Sequence, residues 1–213
     1  RLIGLINQWW KNHLQTEYGL DSALELEYEC HYRRFLMPTI RGAELGSKKR
    51  YAGLKGDEMV YKGMETVRSD WTPLAQQFQQ ELYARIFKNQ PYQEFIRDYT
   101  QRLLAGEFDD RLVYRKRLRR KLSEYQRNVP PHARAAKIAD DYNRELNRPL
   151  QYQNGGWISY VITTAGPEPL ERQRAPIDYD HYLSRQLQPV ADAILPFMQD
   201  DFTTLVAGQL GLF

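Results

Sequence analysis

Two short segments of the chain combine cations, an aromatic residue and small residues, a composition that can contact phosphate groups. The first is KKRYAG at residues 48–53, and the second is KGMETVRSDW at residues 62–71. Cations bind phosphates, small residues let a backbone approach closely, and an aromatic ring can pack on a sugar or a base. Both segments also have a structural alternative. In the first, the lysines can lie on the edge strand of a sheet, where they prevent pairing with another chain. In the second, Glu65, Arg68 and Asp70 can form internal ion pairs.

A third cationic segment covers residues 111–121, with seven basic residues and no acidic one. Since the net charge of the chain is only +3, this local concentration of positive charge is stronger evidence for an anionic partner than the net charge is. Such a block repels itself unless a polyanion neutralises it, and nucleic acid is the usual polyanion. The alternative is a basic face that is merely solvated.

The last five residues, QLGLF at 209–213, carry three large apolar side chains where chain ends are usually polar. Gly208 precedes them and would let the segment swing free. A glutamine followed by spaced apolar residues is typical of a peptide that docks in a pocket of another protein. The alternative is that Leu210, Leu212 and Phe213 fold back onto their own domain.

Nothing in the sequence predicts a metal site, a disulfide or a membrane helix. The four histidines lack the spacing of metal ligands, and the single cysteine, Cys30, cannot form an internal disulfide. No run approaches the roughly 18 apolar residues that a membrane helix needs. A reducing cytoplasm is the expected location. Because residues 1–10 look like the middle of an amphipathic helix, we expect an excised fragment in which only the C-terminus is natural.

The elements that would position these segments follow from periodicity and turn signals. Apolar residues at helical spacing predict a first helix that ends near Tyr18, and alternating leucines and glutamates predict a strand from Leu24 to Met37. Residues 49–54 and 59–62 flank a Lys-Gly-Asp-Glu turn, which predicts a hairpin. The basic block at 111–121 gives no clear local prediction.

The rest of the chain is predicted to be mostly helical. Helix starts and apolar stripes predict helices at about residues 72–86, 92–104, 131–148 and 183–197, and a β-branched run predicts a strand at 157–164. Gly166-Pro167 is expected to end that strand, and Pro189 to kink the last helix. Because the predicted sheet comes first in the chain and most of the helices follow it, the sequence predicts an α+β fold with a boundary near residues 70–72.

Taken together, the first two cationic segments resemble the end of the palm in family B DNA polymerases. The pattern is Lys-Lys-Arg-Tyr-Ala-Gly, followed closely by Lys-Gly-x-Glu-x-x-Arg-x-Asp-Trp. NVPPHARAA at residues 128–136 and IDYDHY at residues 177–182 are similar to thumb segments of the same family. The resemblance covers roughly residues 24–213. It implies a partial palm sheet at residues 1–70, a mostly helical thumb with a small β element at 71–207, and a flexible clamp-binding tail at 208–213.

The resemblance also implies roles for individual residues. Those that would contact the primer-template duplex near the growing end and at the palm–thumb joint are Lys48, Lys49, Arg50, Tyr51, Lys62 and Arg68. From the basic block we expect contacts to the duplex backbone by Arg115, Lys116, Arg117, Arg119 and Arg120. The tail resembles the peptide by which bacterial polymerases bind the sliding clamp, and its contact residues would be Gln209, Leu210, Leu212 and Phe213.

By the same resemblance, Glu27 aligns with a palm carboxylate that lies near the catalytic metals of the family. Glu25 and Glu29 would project from the same strand face, so a register error and an ordinary solvated face both stay open. The family's Asp-x-x-Ser-Leu-Tyr-Pro and Asp-Thr-Asp-Ser motifs, which hold the metals, do not occur in this sequence. We therefore expect no catalytic residue in this chain, and we expect Mg²⁺ only in the intact enzyme.

The predicted function is that of the C-terminal palm and thumb of a bacterial DNA-directed DNA polymerase, a nucleotidyltransferase of replication, repair and SOS-induced translesion synthesis. The chain alone is expected to be monomeric and inactive. It would hold duplex DNA and tether to the sliding clamp near the nucleoid, without a membrane. Two alternatives stay open. One is a non-enzymatic, clamp-tethered DNA-binding module. The other is an RNA-binding structural protein, which would explain the basic block but neither the palm-like segments nor the tail.

Overall fold

The computed structural model describes residues 1–38 and 49–210, with the backbone alone at residues 208–210. Its α-helices are α1 (Leu2–Tyr18), α2 (Pro73–Phe87), α3 (Gln93–Leu104), α4 (Pro131–Glu145), α5 (Tyr179–Tyr182), α6 (Gln188–Asp192) and α7 (Phe202–Leu210). Its strands are β1 (Arg34–Leu36), β2 (Tyr51–Lys55), β3 (Glu58–Lys62), β4 (Tyr114–Leu118), β5 (Gly156–Thr163) and β6 (Gly166–Pro169). This combination of elements confirms the α+β prediction.

Two three-stranded antiparallel sheets carry the cationic segments. The N-terminal sheet has the strand order β1-β2-β3, and the basic sheet has the order β4-β5-β6. In the N-terminal sheet, β2 and β3 form the predicted hairpin, with Tyr51 opposite Lys62 and a turn at Gly56. In the basic sheet, Arg117 lies opposite Trp157. The centre of the block that gave no local prediction is thus an edge strand, β4.

The N-terminal segment differs most from its prediction. Helix α1 forms as expected and ends at Gly19, which adopts a left-handed conformation, but none of its residues is buried. The strand predicted from Leu24 to Met37 is wrong except for β1, because no described strand pairs with residues 24–33. An alternating pattern forms a strand only beside a hydrogen-bonding neighbour. The side chain of Asn7 instead bonds both backbone polar groups of Leu26, at 2.8 and 3.0 Å.

Helices α2 and α3 form the centre of the core. Helix α2 begins as predicted: the Thr72 hydroxyl accepts a hydrogen bond from the Ala75 amide, and Pro73 takes the first helical position. Its apolar stripe, with Leu74, Phe78 and Leu82, is fully buried. Buried apolar residues form one continuous cluster from β2 through α2, α3, β4, α4 and β5 to α7. This core therefore fixes the positions of both sheets.

The last predicted helix is divided into several pieces. Helices α5 and α6 are joined by a π-helical turn at Leu183–Leu187, and a 3₁₀ turn follows at Leu195–Met198. Pro189 lies in the first turn of α6, where its missing N–H leaves one carbonyl group of the preceding turn without its usual backbone donor. Strand β5 ends at Thr163, before Gly166-Pro167 as predicted, but these two residues begin a further strand, β6, which pairs with β5.

Helix α7 ends at Leu210, so the backbone of Gly208, Gln209 and Leu210 is helical. Residues 211–213, with Leu212 and Phe213 of the predicted tail, lie outside the described residues. Over the ranges 1–38 and 49–210, no helix is both long and apolar enough to cross a membrane.

Candidate nucleic-acid interface

Strand β4 presents two of its three cations, Arg115 and Arg117, on the outer face of the basic sheet. Side chains alternate along a strand, so Tyr114 and Leu118 point inward: the Tyr114 ring stacks on Tyr160 with centroids 5.2 Å apart, and Leu118 is buried. Arg115 and Arg117 point the other way and are exposed. β4 is the edge strand of its sheet, and its neighbour is β5.

The cations of the block surround one open groove, the basic groove, with a volume of about 560 Å³. Its lining residues are Ser69, Asp70, Arg115, Lys116, Arg117, Arg119, Arg120, Tyr125, His132 and Trp157. All five cations that the sequence singled out in this block are among them. Five cations against one carboxylate make the groove strongly electropositive, which suits a polyanion.

Asp70 connects the basic groove to the second cationic segment. The Arg68 guanidinium donates two hydrogen bonds to its carboxylate, at 2.8 and 3.0 Å, and the Lys116 ammonium lies 3.8 Å away. The hydrogen bonds from Arg68 lower the pKa of Asp70, as do the charges of Arg68 and Lys116, whereas partial burial acts in the opposite direction. Asp70 therefore stays ionised and holds the end of the second segment beside β4.

Arg50 and Glu65 form an ion pair inside the joint between the hairpin and α2. The Glu65 side chain is only 7% exposed and also accepts a hydrogen bond from the Gln79 amide at 2.7 Å. The Gln79 oxygen in turn accepts from the Thr66 amide at 2.7 Å. Arg50 is thus already neutralised by a partner within the chain, and its predicted contact to DNA stays a prediction.

The small residues of the two segments pack within the chain. Ala52 is fully buried. A Cβ atom on Gly53 would lie 2.4 Å from the Tyr32 ring, and one on Gly63 would lie 2.3 Å from the Lys49 carbonyl oxygen. The expectation that Ala52 and Gly53 let an external backbone approach is therefore wrong, since a side chain of the same protein already occupies that space.

The other predicted residues of the hairpin remain accessible. Lys49 is exposed, and Tyr51 is half-buried with the Lys62 ammonium 5.9 Å from its ring centroid. Arg68 lines a second groove with Arg50 and keeps 43% of its side chain exposed. Lys48 lies outside the described residues.

Two cations of the basic block, Arg111 and Lys121, do not line the basic groove. Arg111 donates a hydrogen bond to the Gln77 side chain at 3.0 Å and lies over the Phe108 ring, 5.0 Å from its centroid. It therefore connects the turn before β4 to α2 and does not line the basic groove. Lys121 is exposed but also lies outside the lining of the groove.

Five groove residues were not among the contacts predicted from the sequence: Ser69, Asp70, Tyr125, His132 and Trp157. Partial burial and the charge of Lys116 lower the pKa of His132, so at neutral pH it adds no charge to the groove. Trp157 is 51% exposed. Pairing between β4 and β5 brings it into the groove, and no local signal in the sequence specifies that pairing.

No metal site can be assigned to the described residues. Residues 1–38 and 49–210 contain no group of three or more His, Cys, Asp or Glu that could hold an ion. Glu25, Glu27 and Glu29 are exposed and do not lie on a strand, so the shared strand face expected for them does not form. The role of Glu27 stays a prediction, and the residues present here do not fit a magnesium site.

The basic groove and the ion-paired joint between the hairpin and α2 belong to an α+β domain whose charge suits a polyanion. Comparison with known proteins places this domain in a family. The family model of DNA polymerase family B matches residues 11–197. The chain belongs to this family.

Individual relatives agree with that assignment. Over 216 residues the chain is 68% identical to DNA polymerase II of Escherichia coli (strain K12), covering 100% of this chain and 28% of that protein. It is 30% identical to a DNA polymerase of Desulfurococcus sp. (strain Tok), covering 91% of this chain and 25% of the relative. The family B DNA polymerase from Pyrobaculum calidifontis shares its fold, with a TM-score of 0.58 and 25% identity over 88% of this chain and 24% of that one. The chain thus spans about a quarter of the length of these relatives.

Proposed function

We propose that this chain is the palm-end and thumb portion of a DNA-directed DNA polymerase, and that it holds the primer-template duplex through its phosphates. The observation that carries the proposal is the basic groove. It gathers five cations from a single edge strand and the turn after it, next to the joint that holds Arg68. A thumb that grips DNA regardless of sequence needs this kind of phosphate-binding surface, because phosphates carry no sequence information.

The availability of these cations supports the proposal. Within the described residues, no carboxylate lies within ion-pair distance of Arg117, Arg119 or Arg120, and all three are exposed. Lys116 has a carboxylate 3.8 Å away, but both side chains are more than 30% exposed, so the pair is weak in water. Lys49, Tyr51, Lys62 and Arg68 would extend the contact from the thumb toward the primer end, with Arg50 oriented by Glu65.

The whole enzyme, on this proposal, transfers nucleotides with Mg²⁺ held by carboxylates elsewhere in the protein. It acts in DNA repair and translesion synthesis near the nucleoid, and this portion is monomeric and inactive by itself. The final residues, Gln209, Leu210, Leu212 and Phe213, bind the sliding clamp and keep the enzyme at the primer terminus by raising its effective concentration there.

The salt dependence of duplex binding tests whether the cations of the basic groove contact DNA phosphates. We expect the triple variant Arg117→Gln, Arg119→Gln, Arg120→Gln to bind a primer-template duplex more weakly. The slope of log K against log salt should fall by about 0.9 for each phosphate that is no longer neutralised. A matched control removes three exposed cations outside the basic groove, by Lys55→Gln, Lys88→Gln and Arg148→Gln. Equal slopes for the two triple variants would contradict the proposal.

Primer extension separates the polymerase from the alternative of a non-enzymatic, clamp-tethered module. The complete gene product should extend a primer with Mg²⁺, and the triple variant should lose processivity more than single-nucleotide addition. A complete gene product that binds duplex and clamp but never extends a primer would support the module instead.

Removal of Leu212 and Phe213 tests the tail. Burial of two such side chains is worth roughly 1.5–3 kcal/mol each, so their loss should abolish clamp binding by a short peptide. Duplex binding should remain unchanged, because the basic groove is intact. Unaltered clamp binding by the truncated protein would show that the tail is not the clamp ligand.

A further inference from the structure

Trp157 combines an exposed indole with a strongly cationic environment. It follows Gly156 at the start of β5, and 51% of its surface is exposed. Tryptophan is highly buried on average in folded proteins, so a half-exposed indole in a groove that is not an apolar patch is unusual. The core of this protein is formed without it, since the buried cluster includes Ile158 and Tyr160 of the same strand but not Trp157.

Arg115 holds the indole in the basic groove. Its guanidinium carbon lies 5.2 Å from the centroid of the Trp157 ring, within the range of a cation–π contact. Both side chains lie on the outer face of the basic sheet, where Arg117 is directly opposite Trp157. The contact orders two side chains that would otherwise have many rotamers, so a flat surface of ring and guanidinium is presented before any ligand arrives.

We infer that Trp157 and Arg115 form a stacking platform for an unpaired nucleotide, and that the basic groove binds single-stranded DNA in addition to duplex. An aromatic ring within a cationic groove is the arrangement by which proteins bind single strands irrespective of sequence, since every base has a π-face. In a duplex, the faces of the bases are covered by their neighbours and cannot reach the indole. Phosphate contacts by Arg117, Arg119 and Arg120 would serve both ligands.

The inference rests on the proposed function of the same groove as a phosphate-binding surface, and it separates two parts of that surface. The arginines contribute to every nucleic acid, whereas the indole contributes only where a base is unpaired. A primer terminus that has lost its pairing, or a single-stranded template, is a substrate of this class.

Three probes test the platform in the complete gene product. They are an oligothymidylate of about eight nucleotides, within the site sizes of single-strand binding folds, an abasic strand of the same length, and a duplex long enough for its ends to be negligible. We expect Trp157→Ala to weaken oligothymidylate binding about tenfold or more. Binding of the abasic strand and of the duplex should change less than about twofold, because neither presents a base face. Trp157→Phe should restore most of the loss.

Two results would overturn the inference. One is unchanged oligothymidylate affinity in Trp157→Ala. The other is an equal loss for the duplex or the abasic strand, which would place the indole against a sugar or give it only a structural role. Tryptophan fluorescence provides a measurement that does not depend on the alanine variant: oligothymidylate should quench the wild-type emission and should quench Trp157→Phe less, whereas equal quenching in both would also contradict the platform.

The outcomes distinguish this inference from the proposed function. The arginine triple variant could leave duplex binding intact while Trp157→Ala still weakens oligothymidylate binding. This result would contradict the proposal that the groove binds duplex and would support the stacking platform. If the triple variant weakens duplex binding but Trp157→Ala leaves oligothymidylate binding unchanged, the proposal that the groove binds duplex is supported and the stacking platform is contradicted.

Discussion

Arg34 and Arg50 of the N-terminal sheet are engaged within the chain, whereas Arg117, Arg119 and Arg120 are exposed. Arg50 pairs with the nearly buried Glu65, and Arg34 donates a hydrogen bond to the Ile86 carbonyl at 3.1 Å. The pair of Arg33 with Asp57, at 3.6 Å, is exposed and therefore weak. In the basic sheet, Arg117 and its neighbours line an open groove. The sequence marks both regions as cationic, but in the second region three exposed arginines without a carboxylate at ion-pair distance, among the described residues, line one groove.

A cationic motif and a phosphate-binding surface are therefore separate properties. A buried arginine with a carboxylate partner has already exchanged water for that partner, so it has little to gain from a phosphate. An exposed arginine on an edge strand releases counterions from DNA when it binds. Variants that alter one sheet or the other test this division, and the duplex, clamp and oligothymidylate experiments test its functional consequence.

The largest effect should come from the buried ion pair. Glu65→Gln leaves Arg50 without its countercharge, and the Arg50 Nε atom is already buried without a hydrogen-bond partner. We expect a loss of about 3 kcal/mol in the free energy of unfolding, measured with urea. The matched control is Asp57→Asn in the same sheet, whose ion pair is 62% and 93% exposed. It should change the unfolding free energy by less than about 0.5 kcal/mol. Similar losses for both variants would remove the distinction between buried and exposed pairs.

A smaller loss is expected from Gly63→Ala at the end of the hairpin. Gly63 has a φ of +62°, and an added Cβ atom would lie 2.3 Å from the Lys49 carbonyl oxygen. Gly56 has nearly the same conformation, with a φ of +59°, but open space around it. Gly56→Ala should therefore report the backbone strain alone, about 1 kcal/mol, and Gly63→Ala should cost about 2 kcal/mol or more. Equal unfolding free energies for the two variants would show that the contact with Lys49 is relaxed at no cost.

One arginine from each sheet gives the most direct comparison of charge availability. Arg117→Gln should lower the salt slope of duplex binding by about 0.9, because one phosphate is no longer neutralised. Arg33→Gln removes the same charge beside the N-terminal sheet and should leave that slope unchanged. Both variants should keep their stability within about 0.5 kcal/mol, since both side chains are exposed. A lower slope in Arg33→Gln would extend the DNA contact to the N-terminal sheet.

The smallest effect concerns pH. Burial lowers the pKa values of His132 and His181 below the ordinary value of 6.5. The unfolded chain therefore binds protons more readily, and the free energy of unfolding should fall as pH drops below about 6.5. His132→Gln should flatten this decline, because a glutamine takes up no proton in either state. A variant with the same pH dependence of urea unfolding as the wild type would show that His132 does not contribute.

Local signals predicted most of the elements. The hairpin has a glycine at its turn, and α2 has a threonine cap followed by proline, so each is specified by residues close in sequence. The strand expected from Leu24 failed for the opposite reason. Its alternation of leucine and glutamate is real, but Leu24 and Leu26 are about half exposed, and strand formation depends on a neighbour that the described residues do not provide.

The candidate site was predicted in part. The cations of the basic groove were found because their charge is visible in the sequence, whereas Trp157 was missed because its place depends on pairing with Arg117, which is distant in sequence. Arg111 belongs to the same block by composition, yet it is bound to Gln77 and lies over Phe108. Composition identifies a cationic segment, but it does not say which of its side chains remain free.

Residue types at short spacing were enough to specify most of the helices, the hairpin, the cationic segments and the resemblance to family B DNA polymerases. Which charges are neutralised inside the chain, and which surround a groove, became clear only from the folded structure. That division depends on contacts between residues far apart in sequence, such as Arg50 with Glu65 and Arg111 with Gln77. A charge can bind a phosphate only where the fold leaves it without a closer partner.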